Sequence, residues 1–246
     1  GRPFADVTAG SGYGSVSCAK NKGIISVTSD GKLKLESTSS TDDAGKTTWV
    51  NPQIFIKSGA TDKSSAWKHT ALSFDAESSS LELMYVYTHM INASSSAYQG
   101  FVHGNVQYSH LYRFIDYKTG EISTTPATLD IRNTNFKFKA ETKTSENNKQ
   151  VDLKYYIDDT VIMSASDAED TLASTGGGIS INPKGTLTID NLTIKDANAA
   201  TKAENTISLP KMVNWTKSGT VSGTFGKEKA YKVISGQNGD LVLNNF

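Results

Sequence analysis

The chain predicts an all-β protein, an antiparallel sandwich or barrel, and three observations carry that expectation. Short runs of alternating apolar and polar residues recur from one end to the other. Turn residues, chiefly Gly, Asn, Asp and Ser, separate them. No long apolar pattern of period 3.6 and no strand–helix–strand alternation interrupts the series. Many short strands with frequent turns must close on themselves or on a second sheet to bury their apolar faces.

The elements follow in order. Gly10–Gly14 (GSGYG) lacks the Gly-Lys-Ser/Thr ending of a phosphate loop and reads as irregular chain. Ile24–Thr28 and Lys32–Leu35 flank Asp30-Gly31, a strong hairpin signal. A polar loop over 37–46 leads to a strand at Trp49–Lys57, where Pro52 marks an edge or a beginning. Trp49 there is expected in the core. Residues 58–65 read as loop, and Lys68–Ala76 as a strand. Ser78-Ser79-Ser80 is expected to turn the chain into Leu81–Met90. Ser94–Gly100 reads as a loop carrying an exposed Tyr98, and Tyr108–Ile115 as the next strand. Lys118-Thr119-Gly120 makes a second hairpin with Glu121-Ile122. Phe136–Glu141 and Val151–Ile157 alternate strictly, and Asp158-Asp159 turns into Val161–Met163. Asp167–Leu172 is the one helical turn expected. Ile179–Ile181, a turn at Asn182–Gly185 and a strand at Thr186–Lys195 follow. Residues 1–200 are assigned to the sandwich. Residues 201–246, with three more strand candidates, complete it or are appended to it.

Two of these segments carry a second pattern. At a period of two, Tyr85, Tyr87 and His89 fall opposite Met84, Val86 and Met90. Likewise Tyr108, His110 and Tyr112 fall opposite Leu111 and Ile115. Each strand thus pairs an aliphatic face for the core with an aromatic and imidazole face of another purpose.

Composition removes several classes of function. Lys plus Arg and Asp plus Glu are 25 each, so the basic excess typical of nucleic-acid binding is missing. The single cysteine, Cys18, forms no intrachain disulfide. No run approaches the roughly 18 apolar residues of a membrane helix. Ser, Thr, Asn and Gly are abundant, as on extracellular β-rich surfaces.

Four stretches together resemble the concanavalin-like jelly-roll sandwich of laminin-G-type and carbohydrate-binding domains. They are Val27–Leu35, like the opening hairpin; Trp67–Phe74, like a tryptophan followed by an alternating strand; Lys137–Met163, like a hairpin with an Asp-Gly turn; and Leu187–Ile194, like the closing apolar-Asp-Asn-apolar strand. Asp159 stands where those domains most often carry glycine. The resemblance spans residues 10–195. It implies an extracellular, cell-surface module of an exported bacterial protein, joined to other domains and of the starch-adherence type. A structural calcium is compatible with such domains, although no Asp-x-Asp-x-Asp-Gly loop occurs.

Enzymatic chemistry finds little support in the residues. Glycosidases need two carboxylates across the scissile bond, and the Glu-x-Asp-x-x-Glu run of concanavalin-like glucanases is missing. His69, His89, His103 and His110 form no metal-spaced pair on one segment. Sugar binding fits better, because an aromatic plane matches the C–H face of a sugar ring and polar groups match its rim. Of 10 Tyr, 9 Phe and 3 Trp most belong in a core. The candidate contacts are Trp67, Tyr98 and Trp215, with Tyr85, Tyr87, His89, Tyr108, His110 and Tyr112. The expected ligand is a polysaccharide, an α-glucan such as starch or a maltooligosaccharide, bound without catalysis. The alternative is a structural or adhesive surface domain with no glycan site, in which Trp67, Tyr98 and Trp215 are buried or scattered.

Overall fold

The structure is a computed structural model. It describes the backbone of residues 23–30, 32–57, 68–92, 96–116, 118–126, 128–168, 170–195, 207–208, 220–225, 229–235 and 238–243, and side chains only within 23–194. Gly10–Gly14, Cys18, Trp67 and Trp215 lie outside the described residues.

Strands dominate. They are β1 (Ile24–Val27), β2 (Leu33–Glu36), β3 (Thr38–Thr41), β4 (Thr47–Val50), β5 (Gln53–Lys57), β6 (His69–Asn92), β7 (Ser96–His103), β8 (Tyr108–Ile115), β9 (Lys118–Pro126), β10 (Asn135–Thr144), β11 (Val151–Ile157), β12 (Thr160–Asp167) and β13 (Gly178–Lys195). Four more follow: β14 (Ile207–Ser208), β15 (Thr220–Phe225), β16 (Lys229–Ser235) and β17 (Asn238–Leu243). Among the described residues there is one short helix, α1 (Asp170–Thr175), which begins three residues beyond the expected helical start. Pairing is antiparallel except between β17 and β5, which run parallel. The expected hairpin turns at 28–32 and 158–159 form. Asp158 and Asp159 both take positive φ, the geometry of a two-residue hairpin turn.

The long strands β6 and β13 pair with each other along most of their lengths. The first part of β6 pairs with β10, which continues to β11 and β12. Its second part pairs with β7, which continues to β8 and β9. Ser78–Ser80 does not reverse the chain, and neither does Asn182–Gly185. Each is a bulge instead: the register between β6 and β13 slips between Lys184 and Thr186, opposite the serines. Ser80 has φ 50° and Gly185 φ 111°. A Cβ on Gly185 would meet the Ser80 carbonyl oxygen at 2.3 Å, so the closely matched bulges need glycine there. Polar residues that look like turn formers are here held in a ladder by the loop before β10: Ser78 N donates to Thr134 O and Ser80 N to the Asn133 side chain. Bulges let one strand serve two sheets.

The β10–β12 sheet packs on the β7–β9 sheet, and the core lies between them. Phe74 of β6, with Phe138 and Tyr155 of the first, shares one buried cluster with Tyr98, Val102 and Leu111 of the second. The sheets come close at Gly100: an added Cβ would lie 2.4 Å from the Tyr155 ring. The Tyr155 hydroxyl crosses the interface to Val86 O at 3.3 Å. Alternation in β7 therefore sends Tyr98, Gly100 and Val102 inward and Gln99, Phe101 and His103 outward.

Candidate functional site

Cross-strand partners share a face of a sheet. The register places Tyr85, Phe101, His110 and Thr124 in one row across β6 to β9. A second row holds Tyr87, Gln99, Tyr112 and Glu121. A third begins with Leu83 and His103, and Tyr108 follows across the 104–107 turn. These side chains point away from the core. They form the outer face of the β6–β9 sheet.

Rings touch throughout this face. Tyr85 and Phe101 meet edge to face with centroids 4.9 Å apart. His103 lies 4.7 Å from Phe101, and His110 5.8 Å from it. His110 and Tyr112 stack at 5.6 Å with planes 23° apart. Phe114 continues the patch beside Tyr87 at 6.5 Å. Most of these rings are half-buried by one another, while Tyr108 at the rim is 57% exposed.

Polar groups are set among the rings. Gln99 donates its amide to the Tyr87 hydroxyl. His110 Nδ1 lies 3.0 Å from Glu121 Oε2 and 3.2 Å from the Thr124 hydroxyl, and Thr124 donates to the other Glu121 oxygen. That Thr124 bond, with a smaller contribution from His110, holds the Glu121 carboxyl below its usual range. Burial pushes the Tyr87 hydroxyl up to about 12 and raises Tyr85 more modestly. Burial, then the neighbouring His110, lowers His103. At neutral pH the face therefore presents phenol hydroxyls, a neutral His103 imidazole, an amide and one carboxylate.

Five of the nine residues expected from the sequence meet on this face: Tyr85, Tyr87, Tyr108, His110 and Tyr112. Two do not. Tyr98, expected in an exposed loop, lies within β7 and is fully buried at 0% exposure. It is paired with Thr88 and Arg113, and its hydroxyl donates to Asp167 at 2.9 Å. His89 is 1% exposed. Its φ of 47° marks a bulge against β13 that breaks the alternation set by Tyr85 and Tyr87. Its Nε2 meets the Thr144 hydroxyl at 3.1 Å, its Nδ1 has no hydrogen-bond partner, and burial lowers its pKa to about 3. Trp67 and Trp215 lie outside the described residues.

Phe101, His103 and Gln99 join this face in addition to the residues expected from the sequence. Their signal was the alternation of Gln99-Gly100-Phe101-Val102-His103, hidden by the preceding run of serines. Trp49, expected in the core, is 43% exposed.

Carboxylate chemistry is poorly served on this face. Glu121 is engaged by His110 and Thr124, and Glu82, at the other rim, is paired with Lys184. Three strand spacings separate them, roughly 14 Å, whereas glycosidases hold their carboxyls about 5–9.5 Å apart. Two depressions, of about 390 Å³ around Asp75 and Asp190 and about 700 Å³ around Glu141 and Lys154, lie on the other sheet's charged outer face, away from the rings. Among the described residues no group of three or more His, Cys, Asp or Glu is arranged to hold a metal ion. No described helix is long and apolar enough to cross a membrane.

No family model and no curated protein sequence matches the chain. Solved structures resemble it at a distance. A carbohydrate-binding module from Bacillus subtilis is 16% identical, with 70% of this chain and 91% of that one covered at a TM-score of 0.42. Sheep galectin-11 is 7% identical, covering 58% and 97%, at 0.41. β-Agarase A from Zobellia galactanivorans is 13% identical, covering 68% and 73%, at 0.46.

Proposed function

We propose that the chain is a non-catalytic carbohydrate-binding module whose site is the outer face of the β6–β9 sheet. The observation that carries this reading is the ring cluster of Tyr85, Phe101, His103, His110 and Tyr112, interleaved with Gln99, Thr124 and Glu121 on one face. Aromatic planes receive the C–H faces of sugar rings, and the interleaved polar groups receive hydroxyls. A chain that only filled space at this surface would not need imidazoles and a carboxylate bonded together among its rings. The ligand is a neutral polysaccharide, and α-glucans such as starch are the first class to test. The setting is extracellular, in a larger surface protein.

Isothermal titration with maltooligosaccharides and a panel of other neutral glycans tests the proposal. Two or three ring contacts predict saturable binding at roughly micromolar to millimolar Kd. An absence of saturable heat across the panel would overturn it and leave the structural or adhesive reading.

A further inference from the structure

The ring-bearing face does not end at β6. Beyond it lies β13, where Asn182 pairs with Tyr85 and Lys184 with Leu83. Lys184 therefore extends the row that contains Leu83 and His103. Its ammonium group does two things. It forms an ion pair with Glu82, and it sits 5.1 Å from the centre of the Trp49 ring.

Trp49 comes from β4, in the β3–β4 hairpin, which among the described residues pairs with no other strand. That hairpin is exposed along nearly its whole length, and only Val50 turns inward from β4. It is tied beside the β13 bulge through Ser37, whose amide donates to Gly185 O and whose hydroxyl donates to Pro183 O. An indole at 43% exposure on such a hairpin fills no core. The cation beside it fixes the ring's position next to β13, as cation–π contacts do.

We infer that Trp49, positioned by Lys184 and Glu82, is a further binding subsite of the same face, and that the ligand is a linear neutral oligosaccharide segment running across the strands. This inference rests on the carbohydrate-binding reading above. From β13 to β9 the face crosses four strand spacings, roughly 19 Å. A pyranose ring is about as large as one of these aromatic rings, so the face seats several sugars in succession. A site for one terminal sugar would need a closed pocket, and the rings here lie on an open sheet. The charges are internally balanced: Lys184 is paired with Glu82, and the Glu121 carboxylate meets His110 and Thr124. Among the described residues of the face no unpaired cation awaits an anionic sugar.

The test compares disaccharides with heptasaccharides of whichever neutral series the wild-type chain binds, using titration calorimetry. Trp49→Ala should weaken heptasaccharide binding about tenfold, a loss typical of one ring contact, and leave disaccharide binding unchanged. Phe101→Ala should weaken both. Trp49→Phe, which keeps a ring, should restore most of the heptasaccharide affinity. Wild-type affinity for the heptasaccharide in Trp49→Ala would overturn the subsite while leaving the carbohydrate-binding reading intact. Equal losses for short and long ligands would overturn the subsite's place at the end of the row. A wild-type chain that binds no glycan of either length overturns both readings.

Discussion

The sandwich has two outer faces built by the same alternation, and they differ in what that alternation exposes. On the β10–β12 sheet, Lys139 meets Tyr156 across the ladder, Glu141 meets Lys154, and Lys143 meets Asp152. Lys139 bridges to Glu141 at 2.7 Å, and Ser166 donates to Asp152 at 2.6 Å. Charges alternate there, and Tyr156 is bonded to Glu141 at 2.9 Å with Lys139 over its ring. On the β6–β9 sheet the same positions hold Tyr85, Phe101, His110 and Tyr112 in mutual contact. Charged pairs keep a face solvated and monomeric at little energetic consequence. Clustered rings keep apolar area in water, and a soluble protein tolerates such a patch where a ligand covers it. The largest expected effect follows. Phe101→Ala combined with Tyr112→Ala should weaken glycan binding about 100-fold by calorimetry, at ~1–1.5 kcal/mol per ring. An unchanged Kd in the folded double variant would break the contrast between the faces.

The next effect concerns the boundary between platform and core on β6. Tyr87 faces out, but two residues later His89 is sealed inside with its pKa lowered to about 3 by burial. In the unfolded chain this imidazole takes a proton near its ordinary pKa of 6.5. The stability held by its neutral form is thus complete above pH 6.5 and is lost as pH falls towards about 3. Urea unfolding midpoints should therefore hold from pH 7.5 to about 6.5 and fall from there to pH 5. His89→Asn, a residue that tolerates positive φ, should flatten that decline. His103, lowered to a lesser degree, would keep a residual slope. An unchanged slope in the variant would show that His89 is not the group responsible.

Much of the fold was legible in the sequence because period-two alternation is a local signal. Val151–Ile157 and Phe136–Glu141 show it plainly and form β11 and part of β10. The bulges were not legible. Ser78–Ser80 and Asn182–Gly185 have turn composition, and pairing with each other, with the loop before β10 and with Ser37 holds them in the ladder as bulges. The candidate site was half legible for the same reason. Tyr85, Tyr87, His110 and Tyr112 were readable strand by strand. Their convergence with Phe101 and His103 depends on β7, whose beginning at Ser96 looks like loop. Tyr98 was misplaced because a polar neighbourhood in sequence says nothing about the Asp167 carboxylate that receives its hydroxyl from β12.

That buried contact supplies a smaller effect. Asp167 is held by the Tyr98 hydroxyl at 2.9 Å and by Arg113 at 2.6 Å. Tyr98→Phe removes one bond and leaves the ring in place. The expected loss is about 1–2 kcal/mol in stability, read from urea unfolding, with glycan affinity unchanged. A loss of binding without a loss of stability would return Tyr98 to the site and contradict its burial.

The smallest effect is the sharpest control on the two faces. Tyr156 is a tyrosine on an outer sheet face, as Tyr112 is, with the same side-chain chemistry and partial exposure. Its surroundings differ: a carboxylate and an ammonium hold it, and no second ring touches it among the described contacts. If exposed tyrosine alone made a sugar site, Tyr156→Ala and Tyr112→Ala would cost similar affinity. If convergence of rings makes it, Tyr156→Ala should change the Kd less than twofold and stability by about 0.5 kcal/mol, as for an exposed surface position. Tyr112→Ala should weaken binding several-fold, because it removes the ring stacked on His110 and a neighbour of Phe101. Equal losses from the two variants would place sugar contacts on both sheets, and the division of the molecule into a charged face and a binding face would fail.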